Sequence, residues 1–166
     1  MKNYAVVRTD NLRGTYVGSA LVSFRFHDAE DKEAALENGN VITLAAKMPE
    51  ISRDMWKGVA PAAGEKLGKL CLVAGVELVY EDNDADLDDF RNEAGSDVRG
   101  YVLHSGDEFS VTKEALQGEP DEATNKYIEV QAGTKWLVSA SADNAVAELE
   151  AIESESGYTY HVYRVL

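Results

Sequence analysis

Four neighbouring residues, His104-Ser105-Gly106-Asp107, place an imidazole, a hydroxyl and a carboxylate in one short stretch. These are the groups of a hydrolase triad, in which a base must reach the nucleophile and a third group must orient the base. Neighbours along a strand point to opposite faces, so His104 and Ser105 are badly placed to form that pair. No G-x-S-x-G pattern is present either. We interpret the stretch as a polar turn and predict that the protein is not an enzyme.

Four carboxylates follow the calcium-loop pattern D-x-[DN]-x-[DN]-G-x5-E, which gathers hard oxygen ligands around one ion: Asp82, Asp84, Asp86 and Glu93. Leu87 stands where the pattern requires the glycine of a sharp turn, and Asp89 stands where an apolar residue is usual. We therefore favour a solvated acidic loop followed by an N-capped helix over a metal site. We predict weak or absent calcium binding and no cofactor.

The single cysteine, Cys71, excludes an intramolecular disulfide and a cysteine-based zinc site. It lies in a continuously apolar run, LCLVA, which is typical of a strand buried on both faces. We expect a small core residue there and not a nucleophile.

The formal charge of the chain is −14, and its isoelectric point is near 4.5. This excess of carboxylates argues against binding the phosphates of DNA or RNA, and it also disfavours anionic membranes. No run approaches the length of a transmembrane span, and the N-terminus lacks the apolar core of a signal peptide. We expect a soluble protein that has no nucleic-acid or membrane partner.

Short runs rich in valine, tyrosine and leucine alternate with glycine-containing turns, which predicts a mainly β protein. We expect a small antiparallel barrel or sandwich with few short helices and an extended N-terminal arm. The predicted organisation is an arm and first strand over 1–26, a β-rich segment with the acidic loop and a short helix over 27–97, and a compact barrel or sandwich over 98–166, with 20–166 as one continuous domain.

The stretch over 99–116, RGYVLHSGDEFSVTKEAL, predicts two strands joined by a tight turn at Gly106, with a helical turn starting at Thr112. A second hairpin is predicted over 127–139, a short helix over 86–94 ended by Gly95, and a helical turn or rim excursion over 143–155. We expect these apolar residues in the core: Tyr101, Leu103, Phe109, Val111, Ile128, Val130, Trp136 and Val138.

The segment RTDNLRGTYVGS after the first apolar run is polar and lacks periodicity, which suits either an internal loop or an arm that reaches a partner. Apolar side chains of a free arm need a covering surface. The candidates for contact with a partner are therefore Val6, Val7, Leu12, Tyr16 and Val17.

The segments AVVRTDNLRG, ENGNVITL, VELVYED, LDDFRNEAG, RGYVLHSGDEFSVTKEAL and VQAGTKWLV together resemble small capsid-associated proteins of tailed phages and prophages of Gram-positive bacteria. The resemblance implies a decoration-type protein on the outside of an assembled capsid, with the major capsid protein as its partner. It also implies a homo-oligomer, a trimer or a dimer, located on the virion and assembled in the host cytoplasm. The alternative from the residues alone is a non-catalytic β-barrel module that binds a carbohydrate or peptide.

Overall fold

The computed structural model describes residues 3–12, 20–77 and 86–166, which form two β-sheets and a few 3-10 turns. The predicted mainly β class is confirmed. The first sheet closes into a five-stranded barrel in the order β1-β3-β2-β4-β5. Its strands are β1 (Leu21–His27), β2 (Val41–Lys47), β3 (Met55–Val59), β4 (Leu70–Val73) and β5 (Val98–Val102).

The second sheet has six strands in the order β6-β11-β10-β8-β9-β7. Neighbours in this sheet are antiparallel except for the short parallel pair β7 and β9. The hairpin of β8 and β9 is the one predicted over 127–139. The strands are β6 (Glu108–Val111), β7 (Leu116–Gln117), β8 (Tyr127–Val130), β9 (Trp136–Ser139), β10 (Ala147–Glu155) and β11 (Tyr158–Val165).

Two cores follow from the alternation of side chains along the barrel strands. The barrel interior holds Phe24, Ile42, Cys71 and Val73. The opposite faces of β2 and β4 pack against the six-stranded sheet, so β4 is buried on both faces as predicted. The residues predicted for the core all lie in this second cluster or pack against it: Tyr101, Leu103, Phe109, Val111, Ile128, Val130, Trp136 and Val138.

The hairpin predicted over 99–116 is wrong, because its two strands belong to different sheets. Strand β5 pairs with β1 and β4, whereas β6 pairs with β11. The Leu103 N–H donates to the Leu70 carbonyl of the barrel at 3.0 Å. Three residues later, the Gly106 N–H donates to the Val165 carbonyl of the six-stranded sheet at 2.8 Å. The tight turn therefore carries the chain from the barrel to the other sheet, which begins at Glu108 and not at Val98.

The helix predicted over 86–94 is also wrong. Only a 3-10 turn, Leu87–Asp89, forms there. Asn92 then exchanges main-chain hydrogen bonds with Leu36 at 2.8 Å in each direction, which requires extended backbone. Gly95 has the positive φ expected of it, +79°.

The segment over 143–155 likewise forms no helical turn in its second half. Its alanines and glutamates favour a helix locally, yet residues 147–155 form the long strand β10. Pairing with β11 along almost the whole of that strand overrides the local preference.

Residues 3–12 are not a free arm, which corrects the prediction for the described part of that segment. Val6 donates its N–H to the Thr112 hydroxyl at 3.1 Å and accepts the Thr112 N–H at 3.0 Å. Arg8 donates its N–H to the Ser110 carbonyl at 3.0 Å, and Val7 bridges Val111. The segment thus covers the outer edge of β6, and this pairing buries its valines within the chain.

The close packing of the barrel generates a stability prediction. A Cβ at position 100 would lie 2.4 Å from the Cys71 sulfur, so Gly100→Ala overpacks the interior. We expect this variant to lose about 1–3 kcal/mol of unfolding free energy in urea titrations. Adding Cys71→Ala removes the clashing sulfur and should restore part of that loss. Equal losses in the single and double variants would contradict this account of the packing.

Candidate functional site

The polar turn His104-Ser105-Gly106-Asp107 connects the two sheets. The Asp107 carboxylate accepts the His104 main-chain N–H at 2.8 Å and lies 3.8 Å from the His104 Nδ1 atom. Ser105 is exposed, and Gly106 has a φ of +90°. The carboxylate therefore organises the backbone of the turn, as expected of an aspartate in such a position.

Two of the four calcium-pattern residues, Asp82 and Asp84, lie outside the described residues. Asp86 precedes the 3-10 turn and donates its N–H to the Asp89 carboxylate at 3.3 Å. Glu93 forms an ion pair with Arg91 at 2.9 Å. Within 3–12, 20–77 and 86–166, no group of three histidine, cysteine, aspartate or glutamate side chains could hold a metal ion.

The partner-contact candidates divide into three groups. Val6 and Val7 are 1% and 2% exposed, so they are buried by this chain itself and offer no surface to a partner. Leu12 is partly buried and packs against the core between the barrel and the six-stranded sheet. Tyr16 and Val17 lie outside the described residues.

A cleft of about 190 Å³ lies where the barrel, the N-terminal segment and the β8–β9 turn meet. Its residues come from five separate parts of the chain, which is why the sequence did not indicate it. We call it the junction cleft. Its lining residues are Tyr4, Phe26, Ala35, Leu36, Glu37, Asn40, Arg91, Thr134 and Lys135.

Hydrogen bonds fix most of the polar groups of the junction cleft. Asn40 donates its side-chain N–H to the Thr134 hydroxyl at 3.1 Å. Glu37 accepts the Ala5 N–H at 2.9 Å, which ties the N-terminal segment to the cleft. The Arg91 guanidinium lies 5.4 Å from the centre of the Tyr4 ring. The arrangement offers charges and hydrogen-bonding groups beside an apolar surface, which suits non-covalent binding of a polar ligand.

A buried amide network involves residues next to the cleft residues Glu37 and Arg91 in the chain. The Asn38 Oδ1 atom accepts the Gly75 N–H at 2.8 Å and the Asn92 side-chain N–H at 3.0 Å. The Asn38 side-chain N–H donates to the Gly75 carbonyl at 3.0 Å and to the Glu77 carboxylate at 3.3 Å. One side chain therefore links the loop before β2, the exit of β4 and the segment after the acidic loop.

The pKa values of Arg91, Glu77 and His161 are shifted by neighbouring charges, hydrogen bonds and burial. The hydrogen bond and charge of Glu93 raise the pKa of the Arg91 guanidinium. Burial raises the pKa of the Glu77 carboxyl, and the Asn38 hydrogen bond opposes that rise. On β11, burial lowers the pKa of the His161 imidazole.

No family model matches the chain, and no match was found among curated proteins or solved structures. In the described ranges, no helix combines the length and the apolar character needed to cross a membrane.

The amide network predicts a strong effect of one substitution. Asn38→Ala leaves the Gly75 N–H and one side-chain N–H of Asn92 without their acceptor, so we expect it to lower the unfolding free energy by about 2–3 kcal/mol. Asn144→Ala, at an exposed loop position, is the matched control and should change it by less than about 0.5 kcal/mol. Similar urea midpoints for the two variants would contradict the role of the network.

The raised pKa of Glu77 predicts a pH effect. The folded state holds this proton to higher pH than the unfolded chain, whose carboxyl has the ordinary value of 4.5. The stabilisation of the folded state by the protonated Glu77 carboxyl is therefore fully present below pH 4.5, and it declines as the pH rises through the folded-state pKa. We expect the stability of the unaltered protein relative to Glu77→Gln to fall between pH 4 and pH 7, measured by urea unfolding. A constant difference between the two proteins would contradict this sign.

Proposed function

We propose that this chain is a virion structural protein of a tailed phage or prophage of Gram-positive bacteria. It binds the outside of the assembled capsid and stabilises it, without catalytic turnover. Its partner is the major capsid protein, and it acts as a homo-oligomer on the capsid surface after assembly in the host cytoplasm.

The observation that carries the proposal is where the segments of the resemblance lie in the fold. The described parts of four of them, 5–12, 37–44, 99–116 and 130–138, meet at the junction of the barrel and the six-stranded sheet. Val6 bonds Thr112, and the Trp136 indole N–H donates to the Gly39 carbonyl at 3.0 Å. The resembling residues thus build one shared scaffold and are not scattered short matches. A likeness in the scaffold supports placing the chain with capsid-associated proteins.

The charge of the chain suits this role. A decoration protein is present at high copy number close to packaged nucleic acid, which it must not bind. A formal charge of −14 keeps such a protein soluble and repels phosphates. The same charge makes neighbouring copies repel each other, so the affinity must come from contacts with the capsid that are repeated over its symmetric lattice.

The burial of Val6 and Val7 moves the proposed contact surface from the arm to the folded body. A preformed surface on a body with two packed cores binds without the entropic cost of ordering a segment. The capsid contact is therefore expected on exposed parts of the sheets.

The junction cleft favours a second candidate function, a non-catalytic module that binds a carbohydrate or peptide. Tyr4 and Phe26 supply aromatic surface, and Lys135 supplies an exposed cation that has no ion pair among the described residues. Aromatic surface beside hydrogen-bonding groups is the usual composition of such sites.

Co-sedimentation with empty shells of the major capsid protein tests the first proposal and separates it from the second. We expect the unaltered protein to pellet with the shells and to saturate them. Lys135→Glu alters the junction cleft and should pellet equally well. If the unaltered protein stays in the supernatant and instead binds a glycan or peptide as a monomer, with that binding lost in Lys135→Glu, the capsid proposal is wrong.

A further inference from the structure

The hairpin of β10 and β11 extends beyond the rest of the six-stranded sheet. Strand β8 pairs only with Ala147 and Glu148 at the start of β10. A bulge follows at position 150, and from there to Glu155 the strand pairs with β11 alone. Ser156 and Gly157, with φ values of +50° and +86°, form the two-residue turn at the tip. Residues 150–160 are therefore a two-stranded ribbon, which we call the β10–β11 ribbon.

The two edges of the ribbon differ. On the β11 side, the Arg8 guanidinium lies 5.6 Å from the centre of the Tyr160 ring, and the Tyr158 hydroxyl donates to the Asp88 carboxylate at 3.3 Å. Side chains of the N-terminal segment and of the 3-10 turn therefore lie against the tyrosines of β11. On the β10 side, no strand of the described chain pairs with residues 150–155.

The β10 edge is exposed as well as unpaired. Ile152 is 43% exposed, and the three residues that follow it are exposed too. An uncovered strand edge presents unpaired main-chain N–H and C=O groups, and folded proteins normally protect such edges. Because Glu155 and Tyr158 flank a two-residue turn, they exchange main-chain hydrogen bonds, so the N–H groups of Ser154 and Ile152 point away from β11. This edge can accept one more strand.

The charge of the edge limits what that strand can be. Residues 150–155 read EAIESE, with three carboxylates and no cation. The Arg164 Nε atom bonds Glu150, and Arg8 lies 3.7 Å from Glu153, while Glu155 has no ion pair among the described residues. A second copy of this chain paired edge to edge would bring two acidic strands together, which is unfavourable. A strand that carries lysine or arginine would gain from the same charges.

We propose that the free edge of β10, residues 150–155, is a strand-addition site for an extended basic segment of the capsid protein. This inference rests on the proposed function and names the surface and the partner segment that it uses. Main-chain hydrogen bonds to β10 supply affinity, and Ile152 with the glutamates selects an apolar residue flanked by cations. Six residues of strand span about 20 Å, so the added segment has about five or six residues.

Two pairs of variants test the site. Ser154→Pro removes one outward N–H and places a proline ring on the free side, where the hairpin tolerates it, while Ser154→Ala keeps the N–H. Glu155→Lys reverses a charge on the edge, and Glu122→Lys makes the same change in an exposed loop. Circular dichroism and thermal unfolding check that all four proteins are folded before their binding to empty capsid shells is measured.

We expect Ser154→Ala to bind shells as the unaltered protein does and Ser154→Pro to bind at least about tenfold more weakly. Glu155→Lys should weaken binding more than Glu122→Lys. If Ser154→Pro binds as well as Ser154→Ala, the edge is not the site, although the capsid proposal stands. If the unaltered protein binds no shells, both proposals are wrong. If it self-associates in sedimentation and Ser154→Pro abolishes this, the occupant is a second copy, and the basic partner is wrong.

Discussion

The structure depends on the hydrogen bonds of one short segment, Asn38-Gly39-Asn40, where the barrel meets the six-stranded sheet. The Gly39 N–H donates to the Val73 carbonyl at 2.8 Å on the barrel, and the Gly39 carbonyl accepts the Trp136 indole N–H at 3.0 Å on the sheet. One residue is thus bonded to both layers, while its asparagine neighbours bond Gly75 and Thr134. Because these polar groups are buried, each lost partner is costly, and the segment fixes how the two sheets lie on each other.

Position 39 favours glycine for two independent reasons. Its φ is +79°, and a Cβ there would lie 3.1 Å from Val111 and 3.3 Å from Ala115. The close approach lets the sheet pack directly on β2 and β4 and enclose the inter-sheet core. The same contact sets the position of β6, whose outer edge carries the N-terminal segment. The junction cleft borders the N-terminal segment. The β10–β11 ribbon extends from the six-stranded sheet, which Gly39 bonds through Trp136.

The sequence predicted which residues form the core better than it predicted which strands pair with each other. Trp136, Phe109 and Val130 are apolar residues in strand-forming runs, so their burial follows from local pattern. The pattern contains no information on which strand pairs with which, so β5 and β6 were joined although they belong to different sheets. The strand β10 was missed because glutamate and alanine favour helix, and only its pairing with β11 outweighs that preference. The cleft draws on five distant segments, and no local pattern in any of them indicates that they meet.

Because the junction bonds the two layers together, we expect the barrel and the six-stranded sheet to unfold as one cooperative body. Cys71 lies in the barrel interior, where burial raises the pKa of its thiol, and Trp136 lies in the core between the sheets, so the two report on different layers. In a Trp56→Phe background, the urea dependence of Cys71 labelling by a thiol reagent is compared with that of Trp136 fluorescence. Coincident midpoints are the predicted result, because the junction couples the layers. Labelling of Cys71 at clearly lower urea than the fluorescence change would contradict the account, since the barrel would then open independently.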